Sequence, residues 1–119
     1  MLIKKSDSQR HKNSDTCTVW EYNYNDPDSS FATGEIHGRY PDVGFSITAV
    51  NEECVEMFYI LSGTLTVHTD DQVFVAEVGD FARIEKDHPY FLEGNNAKFC
   101  IFNTPRWTMD QHMNISLPL

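Results

Sequence analysis

Gly44-Phe45-Ser46-Ile47-Thr48-Ala49-Val50-Asn51-Glu52-Glu53-Cys54-Val55-Glu56-Met57-Phe58-Tyr59-Ile60-Leu61-Ser62-Gly63 sets two glycines and three acids around two β-type apolar runs. A second block, Gly79-Asp80-Phe81-Ala82-Arg83-Ile84-Glu85-Lys86-Asp87-His88-Pro89-Tyr90, repeats the same grammar of glycine, short apolar run and turn. Gly63 lies between two β runs, where a tight turn or bulge is needed. Gly79-Asp80 also joins two such runs, and glycine there supplies a positive φ.

Working outward, the same pattern covers residues 17–105. Candidate strands are 17–24, 31–40, 44–50, 56–61, 63–69, 72–78, 81–84, 90–93 and 97–103. Between them stand Asp26-Pro27-Asp28, Tyr40-Pro41-Asp42, Asp70-Asp71, His88-Pro89 and Gly94-Asn95-Asn96, each with turn chemistry. No helical period interrupts them. Many short strands with frequent turns predict an all-β sandwich or barrel. Several strands are apolar on both faces: Val73 and Val75 oppose Phe74 and Ala76, and Phe99 and Ile101 oppose Cys100 and Phe102. Such strands need cover on both sides.

Residues 1–16 are polar and without period, and read as a mobile lead-in that can tie down onto a sheet. Residues 17–119 read as one barrel domain with a short C-terminal tail. In that tail Thr108 and Gln111 have capping-box spacing around one short turn.

The chain has 119 residues, enough for one hydrophobic core without disulfide or metal staples. Eighteen acids against nine Lys and Arg give a net charge of -9 and a pI near 4.8. That balance argues against nucleic-acid partners and against docking on anionic membranes. It favours a neutral or cationic ligand. The N-terminus has charges but no apolar core of a signal peptide, and no apolar run reaches membrane-spanning length. Cys17, Cys54 and Cys100 are odd in number, widely spaced and form no C-x-x-C pair. They read as free thiols of a reducing, cytoplasmic compartment.

The spacing in the two blocks resembles the two motifs of the cupin superfamily, G-x5-H-x-H-x3-4-E-x6-G and G-x5-P-x-G-x2-H-x3-N. Gly44, Glu56, Gly63 and Gly79 fall in register. Gly38-Arg39-Tyr40-Pro41, Tyr90-Phe91-Leu92-Glu93-Gly94, Thr104-Pro105-Arg106-Trp107 and the Gln111-His112 pair look like a group of small single-domain bacterial and archaeal cupins without an assigned reaction. The resemblance implies a double-stranded β-helix, or jelly-roll barrel. It also implies an interior site at the motif positions, which hold Val50, Glu52, Glu56 and Tyr90 here.

Three of those positions lack the histidine of the family pattern, so the resemblance implies a degenerate metal site. No cofactor is favoured; a divalent metal, were one present, would rest on Glu52 and Glu56, with His37 or His68 as the outside sources of an imidazole. Glu56 and Tyr90 are the catalytic candidates, because burial beside another acid raises a carboxyl pKa toward the range of a general acid or base. Val50, Glu52, Phe58 and Arg39 are the ligand-binding candidates, with Arg39 and Arg83 as available partners for a buried carboxylate. The expected role is binding of a small polar molecule in the barrel. The alternative is a metal-dependent or acid–base small-molecule enzyme, of isomerase or dioxygenase type, using Glu56. Phe31, Phe45, Trp20 and Trp107 exceed what one small core hides, which predicts a homodimer.

Overall fold

The computed structural model describes residues 1–119. It contains nine strands: β1 (Gln9–Lys12), β2 (Cys17–Tyr22), β3 (Ser30–Tyr40), β4 (Ile47–Asn51), β5 (Val55–Thr69), β6 (Val73–Ala76), β7 (Phe81–Ile84), β8 (Tyr90–Thr104) and β9 (His112–Ser116). Two single 3-10 turns, Lys5–Asp7 and Met109–Gln111, are the only helical segments. Every strand pairing is antiparallel. The sheet runs β1-β2-β3-β8-β4-β9, and β5 joins it through β8 while also pairing β6 and β7. It is the all-β, curled jelly-roll architecture expected above. No helix is long and apolar enough to cross a membrane.

Two pairs of expected strands are single long ones. Residues 56–61 and 63–69 form β5, and residues 90–93 and 97–103 form β8. The two pair along their whole length, from Val55 opposite Thr104 to Thr69 opposite Tyr90. The glycine and asparagine signals between them mark bulges instead of turns, and the register shifts on either side of Ser62 show this. Gly63 has φ +69, and a Cβ there would lie 2.2 Å from the Asn96 carbonyl oxygen. Asn96, across the ladder, also has positive φ. Turn and bulge draw on the same residues, so local chemistry alone does not separate them.

Both ends of the chain join the sheet. Gln9–Lys12 is tied onto the edge of β2, with all four residues exposed. The tail carries β9 in addition to its short turn, and β9 pairs with β4 from Ile47–Ser116 to Asn51–His112. Thr108 stands at the N-cap of the Met109–Gln111 turn, but its hydroxyl accepts from Gln111 Nε2 at 3.1 Å instead of from a backbone N–H.

Alternation along the strands builds the interior. Phe58 and Ile60 on β5, Leu92, Phe99 and Ile101 on β8, Ile36 on β3 and Ala82 and Ile84 on β7 point inward and are buried. Phe58 and Phe99 meet edge to face, their ring centres 5.5 Å apart. The opposite faces of the same strands carry Tyr59, Leu61, Phe81 and Phe102, all exposed.

Candidate ligand cavity

A cavity of about 450 Å³ opens within the barrel. Its floor is apolar, from Phe58, Leu92, Phe99 and Ile101, and one wall is polar, with Glu56, Tyr40, Tyr90, Asn103 and His112. Strand register assembles that wall. Glu56 sits directly opposite Asn103 on the β5–β8 ladder, and Asn51 sits opposite His112 on the β4–β9 ladder. Tyr90, at the start of β8, lies opposite Ala49 of β4.

The Glu56 carboxyl is buried and meets three donors. Tyr90 O–H and Asn51 Nδ2 donate to Oε2 at 3.2 and 3.4 Å, and Asn103 Nδ2 donates to Oε1 at 3.3 Å. Burial raises the Glu56 pKa above the ordinary carboxylate value, and the three donors partly oppose the rise. Burial and the nearby Glu56 charge push Tyr90 well above the ordinary phenol value. Burial and Glu56 also push the Cys17 thiol on the cavity wall up to about 12, so it is a neutral, unreactive group.

The hydrogen-bond chain behind Glu56 sets a tautomer. Trp107 Nε1–H donates to Asn51 Oδ1 at 3.1 Å, and an indole N–H can only donate. Asn51 therefore turns its oxygen to Trp107 and its nitrogen to Glu56. His112 Nδ1 lies 2.7 Å from the same Oδ1, so Nδ1 carries the proton. The Nε2 of neutral His112 is then the acceptor, and Tyr40 O–H donates to it at 3.2 Å. Burial lowers the His112 pKa and keeps the ring neutral.

The candidate residues divide. Glu56 and Tyr90 meet within hydrogen-bond distance, and Phe58 lies on the cavity floor. Val50 and Glu52 do not reach the cavity: Val50 is buried on the other face of β4, and Glu52 is exposed just past its end. A strand alternates every residue, so Asn51, between them, is the one that points inward. Arg39 is a brace outside the cavity. It donates to the carbonyls of Pro41, Phe45 and Ile47 and stacks over Phe91 at 3.7 Å. Arg83 pairs with exposed Glu85 at 2.7 Å, so neither arginine holds Glu56.

His68 stacks on Phe91 and bonds Glu93 at 2.6 Å, and His37 accepts from the Asn96 N–H at 3.2 Å. Both lie away from the cavity. Asn103, Tyr40, Trp107 and His112 complete the wall, and Asn51 lies behind it, bonded to Glu56, Trp107 and His112. Their signal in the sequence was partial: Trp107 and His112 stand in the T-P-x-W and Gln-His motifs, which bear on fold and carry no role by themselves.

The cupin domain family model matches residues 43–99. Residues 43–99 form a cupin domain core. No curated protein matches the sequence. Among solved structures, this cupin is similar to Pac13, a nucleoside dehydratase (TM-score 0.84, 13% identity, covering 100% of this chain and 93% of that one). A Tyr-to-Phe variant of the Streptomyces protein, determined with uridine, gives the same TM-score of 0.84. It is also similar to ectoine synthase from P. lautus (0.72, 12% identity, 100% and 93% covered) and to KdgF from Halomonas sp. (0.70, 10% identity, 90% and 96% covered). These likenesses show a shared fold.

The cupin motif implies a metal at the position of Glu56, and the residues around it do not fit one. The atoms aimed at the carboxyl are N–H and O–H donors, where a cation needs lone pairs. Asn51 Oδ1 already accepts from two groups, and His112 Nε2 accepts from Tyr40. At the surface, Asp70, Asp71 and His88 bring three potential ligand atoms within 4.8 Å of one another, with His88 Nδ1 2.9 Å from Asp70.

The Glu56 shift has a consequence for stability. A folded pKa above the unfolded value means the folded state holds its proton more tightly. The stability this provides is complete below the unfolded value of 4.5 and is lost as pH rises through the elevated folded value. Urea denaturation of wild type and Glu56→Gln from about pH 4.5 to about pH 8 should show the difference moving steadily in favour of the variant. Taking the difference cancels His112, whose lowered pKa acts in the opposite sense below 6.5. A pH-independent difference would show that Glu56 is not a shifted buried carboxyl.

Proposed function

We propose that this cupin binds a small polar molecule inside the barrel, at a degenerate metal site whose place is taken by a hydrogen-bonded carboxyl. The observation that carries the reading is the buried Glu56, held by Tyr90, Asn51 and Asn103 on the wall of a cavity of about 450 Å³. An apolar floor with a few convergent polar groups is the usual build of a small-molecule site. Uridine is a fitting first probe, since a structural neighbour has been determined with it. Titration should change the fluorescence of Trp107, and Tyr90→Phe should weaken binding about tenfold. If nucleosides, hexoses and amino-acid derivatives all leave fluorescence and melting temperature unchanged, and the purified protein releases no small molecule on denaturation, the reading fails.

A second reading is an acid–base enzyme, isomerase or dehydratase in type. Its support is the fixed neutral tautomer of His112 in the same wall as a carboxyl that burial holds toward its protonated form. Such a pair can take a proton at one atom of a ligand and deliver one at another. A Glu56→Gln variant that binds a ligand but no longer converts it, followed by proton NMR of the mixture, would favour the enzyme over the carrier. Unchanged conversion would exclude Glu56 from the chemistry. The three free thiols suit a reducing compartment such as the cytoplasm.

We also infer a homodimer through the outer face of the sheet. Register lines up Trp20, Thr33, Cys100, Tyr59 and Phe81 in one row and Tyr22, Phe31, Phe102, Met57 and Arg83 in the next. Phe31 packs against both Tyr22 and Phe102, with ring centres 5.5 and 5.0 Å apart. Light scattering should return twice 13.7 kDa, and a monomer mass would refute the dimer.

A further inference from the structure

Among the side chains that line the cavity, Arg106 is the sole Lys or Arg. It is also unmatched. The guanidinium makes one hydrogen bond, Nη1 to the Tyr24 carbonyl at 3.1 Å, and no carboxylate lies within ion-pair distance of it. A guanidinium offers five N–H donors, so most of its capacity at the cavity lining is unused. Arg106 is half-buried in a chain with twice as many acids as Lys and Arg. Of the six Lys and Arg without an acid partner, only Arg39 and Arg106 are half-buried, and Arg39 spends its donors on three backbone carbonyls.

The backbone holds Arg106 in place. Its N–H donates to the Pro27 carbonyl at 3.1 Å, and its own carbonyl accepts from Gln111 Nε2 at 3.0 Å. The neighbouring Trp107 leads directly into the chain that orders Asn51 and His112. The cavity acid Glu21 is engaged at 3.6 Å by His11, and Glu56 by its three donors.

We propose that Arg106 is the docking point for an anionic group, carboxylate or phosphate, on the molecule that occupies the cavity. This rests on the cavity being a binding site, and it departs from the expectation of a neutral or cationic ligand. The ligand class is a small polar body carrying one anionic group. The anion is held by the guanidinium fork, and the uncharged hydroxylated or ring portion reaches Glu56, Tyr90 and Asn103 across the same cavity. Charge-assisted bonds of this kind are about twice as strong as neutral ones, and the fork suits both anions.

The test reads the arginine directly. Inorganic phosphate and acetate, titrated separately, should produce saturable shifts of the Arg106 Nε–H resonance and leave that of surface Arg10 unmoved. The anion with the tighter curve identifies the group. Uridine 5′-monophosphate should then bind wild type about tenfold tighter than uridine, and glucuronate tighter than glucose, with Arg106→Gln erasing both margins and Arg106→Lys keeping part. Absence of a saturable Arg106 shift overturns the proposal. So does an Arg106→Gln variant, folded by its NMR spectrum, that binds the anionic probes as wild type does. Uridine binding with no gain from the phosphate defeats the anion anchor alone and leaves the cavity reading standing. Phosphate saturating Arg106 while no nucleoside, hexose or amino-acid derivative enters overturns the proposal together with the cavity reading, leaving an anion contact only.

Discussion

Phe58→Ala will lower the free energy of unfolding by about 3–5 kcal/mol. Phe58 is 1% exposed and lies on the inner face of β5 between Glu56 and Ile60. Its strand is paired on both sides, to Ala82 of β7 and to Ile101 of β8, so the backbone cannot relax inward to fill the gap. Truncation removes the edge-to-face contact with Phe99 and joins the new space to the existing cavity. A domain of this size is stable by only about 5–15 kcal/mol, so the loss is a large part of the total. Phe58→Leu, which keeps most of the volume, should cost about 1.5 kcal/mol or less. Urea denaturation of the three proteins measures both. A Phe58→Ala loss as small as that of Phe58→Leu would show that the ring is not part of a packed interior.

Asn51→Leu is the second large effect, about 3 kcal/mol, because one side chain closes three hydrogen bonds worth about 1 kcal/mol each. Its oxygen accepts from Trp107 and His112, and its nitrogen donates to Glu56. Leucine has nearly the same shape, so the loss reports the bonds and not a hole. The more specific readout is nitrogen NMR of His112. Wild type should show the proton on Nδ1, and the variant should lose that preference, since nothing then distinguishes the two ring nitrogens except Tyr40. Trp107→Phe, which removes the indole N–H that orients Asn51, should weaken the same preference with a smaller stability loss. An unchanged tautomer in Asn51→Leu would mean that the ring is held by something other than this chain of bonds.

The candidate site was legible in the sequence only where a residue's own chemistry sufficed. Glu56 was readable because it falls at the acid position of the first cupin-like motif. Tyr90 followed from its place in the second block. Val50 and Glu52 followed from the same spacing and fail because the side-chain direction on β4 depends on register. A shift of one residue exchanges the inward and outward sets. Asn51, buried between them, has no sequence signal that separates it from a turn asparagine. Asn103 and His112 come into the wall through ladders to partners 47 and 61 residues away, Glu56 and Asn51.

The amino-acid order by itself determined the all-β class, the glycine positions, the apolar alternation and the presence of a cupin motif without its histidines. Those features depend on each residue's own backbone preference and on period-two burial, both of which are local. The tertiary structure alone decided that Gly63 and Gly94-Asn95-Asn96 are bulges inside two long strands, that β9 closes against β4, and that Asn51 faces inward. It also decided that Arg106 lines the cavity without an acid partner while Arg39 is consumed as a brace. Each of these is a choice of partner across the sheet. Several partners satisfy the same local chemistry, and only closing the barrel, with every strand in register at once, selects among them.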